Sequence, residues 1–165
     1  MPAPTPFPSP AANAAALALA IAAPSPSALA LTLNEITGSW RVLSYEHKDA
    51  AGAMTHPLGK HPDGFLLVGS DHRCTLILAG EGRKPAANEE DYARLMKSHF
   101  AYSAPCTGEA EGERLKVTLR PDVASSPAMK GTKILRFLSL KGRELVVTGP
   151  LSPHGSFTAR FERAR

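Results

Sequence analysis

Residues 38–46, GSWRVLSYE, decide the fold. One parity of this stretch carries Trp40, Val42, Ser44 and Glu46, and the other carries Arg41, Leu43, Tyr45 and, one residue on, His47. An alternation of period two is the signature of a strand with one face buried and one exposed. Working outward, seven further segments read the same way: 64–70 (GFLLVGS), 73–79 (RCTLILA), 100–107, 114–120 (RLKVTLR), 132–140 (TKILRFLSL), 144–149 (ELVVTG) and 156–163 (SFTARFER). The joints between them are short and rich in turn formers, among them SDH at 70–72, EAEGE at 109–113, KGRE at 141–144 and PLSPHG at 150–155. Such spacing predicts antiparallel hairpins.

One segment breaks the strand period. Asn88 precedes Glu89, Glu90 and Asp91, and Tyr92, Leu95, Met96 and His99 then recur at helical spacing. Asn88 is a helix cap, the acids suit the first turn, and Arg94 and Lys97 suit the last. The apolar face of this helix is expected to dock on the rest of the molecule. Eight strands with a single helix cannot cover both faces of an open sheet, so the fold class predicted is all-β: an eight-stranded antiparallel up-and-down barrel with one short helix. A barrel of eight strands has an interior that fills with side chains or holds one small ligand.

Composition sets the boundaries. All 34 charged residues lie at or after Glu35, while the first 34 residues hold 12 alanines and 7 prolines. Residues 1–34 therefore read as a disordered or targeting tail, and residues 35–165 as one folded domain. The apolar run AAALALAIAA at 14–23 is ten residues long, against the roughly 20 that a membrane-crossing helix needs. It lacks a basic region ahead of it, so a cytoplasmic protein is expected, with secretion as the alternative. The net charge of +4 is scattered, with no basic tract of the kind that binds nucleic acid. The six histidines never occur as HxH or HxxxH, and Cys74 and Cys106 lack zinc-site spacing, so no local metal site is read and both cysteines are taken as buried thiols. A GxSxG nucleophile elbow and phosphate-cradling loops are missing, and no cofactor is expected.

Gly38-Ser39-Trp40 at the start of the first strand, THPLGKHPDGFLLV at 55–68, FAYS at 100–103, Gly131-Thr132 followed by Arg136-Phe137, and RFER at 160–163 together resemble the small bacterial and fungal lipocalin-like domain family. The resemblance runs over nearly all of residues 36–163 and implies an eight-stranded barrel with an internal cavity. Members are often encoded beside enzymes of natural-product biosynthesis. The chain departs from the family where relatives carry a His-His pair, here Leu119 and Arg120, and where an Asn-Trp pair is expected before Gly131, here SSPAMK at 125–130.

Arg136 falls on the parity of its strand that looks inward, with Ile134, Leu138 and Leu140. A guanidinium in an apolar barrel needs a partner. Glu46, on the parity of Trp40, is the expected one, either as a structural bridge or as a general acid or base beside an Arg136 that polarises a substrate oxygen. Tyr102 is read as a phenolic donor to a carbonyl or as part of a core stripe, and His56 as a proton-transfer group at the barrel mouth or a solvated loop histidine. Arg163 is expected to stack on Trp40, as lipocalins do at the closed end of the barrel. Trp40, Phe65, Leu67 and Leu138 are expected to line the ligand space. Two functions follow: a cofactor-independent enzyme of secondary metabolism that promotes cyclisation, isomerisation or dehydration of a polyketide- or terpenoid-like intermediate, or a non-catalytic carrier of a small hydrophobic molecule.

Overall fold

A β-bulge near the start of the first strand sets which residues of that strand face inward. In the computed structural model, which describes residues 30–151 and 155–165, β1 (Gly38–Asp49) pairs with the last strand through Val42 opposite Phe161 and then Ser44 opposite Arg160, so Leu43 is an extra residue in the ladder. The alternation restarts one residue late. Trp40 and Val42 are buried before the bulge, and Tyr45 is buried after it.

The other strands are β2 (Met54–Thr55), β3 (Asp63–Val68), β4 (Arg73–Ala79), β5 (His99–Glu111), β6 (Arg114–Leu119), β7 (Val123–Ala124), β8 (Ile134–Lys141), β9 (Glu144–Leu151) and β10 (Gly155–Arg163), with α1 (Glu89–Lys97) between β4 and β5. Eight of them follow one another around a closed antiparallel wall in the order β1, β3, β4, β5, β6, β8, β9, β10, and β10 returns to β1. The two-residue strands β2 and β7 are additions on β1 and β5. The eight-stranded barrel with one helix expected from the period-two pattern is therefore present.

The core fills the barrel from its closed end. Trp40, Ile36, Phe161, Leu78, Leu115 and Leu145 are among the largest fully buried side chains. Leu31 and Leu33 join them, so the packed body takes in residues ahead of Glu35, where the composition changes. Arg163 lies 4.3 Å over the Trp40 ring and donates to the carbonyls of Thr37 and Glu35, both at 2.9 Å. Trp40 in turn donates its indole N–H to the Ile36 carbonyl at 2.8 Å. Of the tail expected over residues 1–34, residues 1–29 lie outside the described residues.

The helix departs from expectation. Asn88 caps it, its Oδ1 accepting from the Asp91 N–H at 2.9 Å, with the acids in the first turn. None of its residues is buried, however, and Tyr92 and Met96 are 63% and 60% exposed. Its main neighbour is the adjoining strand β5, which offers too little surface to cover an apolar face. Among the described residues, no helix is long and apolar enough to cross a membrane.

Candidate functional site

The inward side chains of the wall leave a cavity of about 40 Å³ in the middle of the barrel. At about 10–15 Å³ per water this is room for roughly three waters, about a quarter of the roughly 150 Å³ that holds benzene in an engineered apolar cavity. Its wall is apolar, with Leu66, Leu76, Leu119, Leu138, Val147 and Phe157 among the lining residues. Arg136, Tyr45 and Tyr102 bring polar groups to it.

Arg136 points into this space from β8. Its Nη1 donates to the carbonyl of Leu135 at 2.8 Å, and its guanidinium lies 4.7 Å from the Phe157 ring. Gly149 makes room for it: a Cβ there would fall 2.9 Å from the Arg136 Nη1 and 2.7 Å from the Phe157 ring. All 15 acidic side chains are among the described residues, and their ion pairs are with Arg41, Arg73, Arg94, Arg114, Lys116 and Arg160. None is with Arg136.

Burial raises the pKa of Tyr45 to about 12, against an opposing pull from the Arg136 charge. Burial likewise raises that of Tyr102, against an opposing pull from Arg136. Both hydroxyls therefore keep their protons well past neutrality. Beside them, the His47 ring stands 5.0 Å from that of Tyr45; burial lowers its pKa, and its Nε2 is buried with no hydrogen-bond partner among the described residues.

The structure redistributes the residues singled out from the sequence. Arg136, Tyr102 and Leu138 line the cavity. Glu46 does not, because the bulge at Leu43 moves it off the inward parity and puts Tyr45 there instead; no Arg136–Glu46 bridge forms. Phe65 and Leu67, each 39% exposed, face outward, and Leu66 and Val68 take the inward places. GFLLV has no polar alternation to reveal its facing. Trp40 belongs to the closed end and does not line the cavity. His56 is exposed on the loop before β3, away from the cavity lining. That loop is held by Glu81, whose carboxylate accepts the N–H groups of Lys60 and His61 at 2.9 and 3.1 Å.

Sequence reasoning missed Tyr45 and Gly149. Nothing in one sequence marks the bulge that turns Tyr45 inward, but a glycine near a strand end does signal close approach by another group. It also missed a covalent link. Cys74 and Cys106 are not thiols but a disulfide, with Cα atoms 5.9 Å apart, joining β4 to β5. The register explains it: Cys74 lies opposite Ala104, and Cys106 is the next residue along on the same inner face. Cys74 forms part of the cavity wall.

The lipocalin-like domain family matches residues 37–162. The chain belongs to that family. Leu119, where the family resemblance expects one histidine of a pair, contributes an apolar side chain to the cavity, and Arg120 faces outward with Nη1 on the Gly131 carbonyl at 3.2 Å. No curated protein matches the chain. Among solved structures it is similar to a redesigned β-barrel at 12% identity, over 84% of this chain and 100% of that one, with a TM-score of 0.45. It is also similar to a mutant of the fluorescent protein UnaG at 14% identity, over 81% of this chain and 99% of that one, with a TM-score of 0.41.

Proposed function

We propose that this lipocalin-like barrel binds one small, mainly apolar molecule in its interior. The observation that carries this reading is the cavity itself: a mainly apolar wall with Arg136, Tyr45 and Tyr102 among its lining residues, the kind of arrangement that fixes a ligand's orientation while burial supplies affinity. At about 40 Å³ the resting cavity takes even a single aromatic ring only if lining side chains move aside, so the ligand it suits is compact. A polyketide- or terpenoid-sized molecule would require side chains at the mouth to swing out.

The convergence of Arg136, Tyr45 and Tyr102 also supports a second reading, catalysis without a redox cofactor. Here Arg136 would polarise a carbonyl while a tyrosine passes a proton, promoting cyclisation, isomerisation or dehydration of a secondary metabolite. Binding is the better supported of the two. Both phenols are pushed away from neutral pH, Glu46 and His56 stand outside the cavity, and Leu119 occupies the position of a family histidine. Proton transfer near neutrality has no well-matched group there.

Toluene is the test ligand for the binding reading. Saturating toluene is expected to raise the thermal unfolding midpoint of the wild type, because a ligand that binds only the folded state stabilises it. Val147→Phe, which fills the cavity from its wall, is expected to fold and to show no such rise. No toluene shift in a folded wild type, or an equal shift in Val147→Phe, would contradict interior binding.

A further inference from the structure

The polar end of the cavity carries a charge that the protein does not neutralise. Arg136 is half-buried, its surroundings are the Phe157 ring, the Leu135 carbonyl and two phenols, and no carboxylate of the chain forms an ion pair with it. A guanidinium is always charged, and a buried charge left without an opposite one is costly. Ligand chemistry can remove that cost. A neutral carbonyl would accept up to two hydrogen bonds and leave the charge in place, whereas a carboxylate-like oxyanion would neutralise it and accept more, and stronger, ones.

We infer that the ligand's polar end is an acidic group, a carboxylate or similar oxyanion, seated on Arg136 with the Tyr45 and Tyr102 hydroxyls as further donors. This rests on the interior-binding reading and gives its ligand a class: a compact aromatic or short aliphatic acid. The geometry supports the assignment in two ways. Arg136, Tyr45 and Tyr102 line the same cavity, and the Arg136 charge pulls on both phenols. Its position also depends on a residue with no side chain, since any Cβ at Gly149 would press on the guanidinium and on Phe157. Gly149 is thus a positioning residue for the anion site. The apolar remainder of the wall, from Leu66 to Val147, faces the ligand body.

Benzoate and benzyl alcohol share a ring and differ in the charge of the head, and their affinities for the full chain can be compared by isothermal titration calorimetry. Wild type is expected to bind benzoate at least about tenfold more tightly than benzyl alcohol, as charge-assisted hydrogen bonds require. Arg136→Gln is expected to erase that preference while benzyl alcohol binding changes little. Gly149→Ala is expected to weaken benzoate more than benzyl alcohol. If the wild type binds both equally, or if Arg136→Gln keeps the preference, the anion assignment fails while interior binding stands. If neither probe binds and toluene also fails to bind, the binding reading itself falls. Because the wild-type comparison alone decides the first point, a variant that fails to fold does not protect the proposal.

Discussion

Tyr45 shows how one residue's environment becomes a measurable property of the whole chain. Its pKa rises from the ordinary 10.0 to about 12 because burial disfavours the phenolate. A group whose folded pKa is raised supports the fold fully below its unfolded pKa, and that support is lost as pH rises toward the folded value. Between pH 10 and 12 the wild type is therefore expected to lose about 2 to 3 kcal/mol through Tyr45, and Tyr45→Phe to lose less over the same range, as denaturant titrations at several pH values would show. His47 has the opposite sense at the acid end. Its pKa is lowered by burial, so the unfolded state takes up a proton first and stability falls as pH drops below 6.5. His47→Phe should flatten that part of the stability curve. At the closed end, Arg163→Ala removes a ring stack and two charge-assisted hydrogen bonds and is expected to cost about 2 kcal/mol, seen as a lower midpoint in chemical denaturation.

Elements explain where the residue-level reading from sequence succeeds and where it stops. The strands are legible because alternation in β6 and β10 is strict, β1 alternates on either side of its bulge, and the joints between strands are turn-rich. Facing was harder to read. In β1 the extra residue Leu43 shifts the inward parity, exchanging Glu46 for Tyr45, and in β3 four consecutive apolar residues hide which two look inward. The helix was legible from its cap and first-turn acids, yet helical spacing alone does not say whether a surface exists for Tyr92 and Met96 to meet. The β4–β5 disulfide was illegible for a related reason: 32 residues separate its cysteines, and only the strand register brings them together. A bridge closing a loop of that length stabilises by about 3 to 4 kcal/mol in the chain-entropy account. Reduction of the native protein is accordingly expected to lower its unfolding midpoint markedly, and alkylation before reduction to label neither cysteine.

At the scale of the whole molecule, the barrel, its closed end under Trp40 and its apolar interior follow from patterning, whereas the chemistry of the interior depends on a few contacts that patterning does not encode. Arg136 could be placed inside from its parity alone. That its partners are Tyr45, Tyr102 and the backbone rather than a carboxylate depends on a single bulge and a single glycine. The outer wall offers a rival place for an apolar molecule, since Phe65, Leu67 and Ile77 are exposed on neighbouring strands, with Arg41 lying 5.9 Å over the Phe65 ring. Location is thus the decisive observable. It is read most directly by nuclear Overhauser contacts between bound toluene and the methyl groups of the protein. Contacts to Leu138, Val147 and Leu119 are expected if the ligand sits inside the barrel; contacts confined to Leu67 and Ile77 would place it on the outer wall and contradict the account.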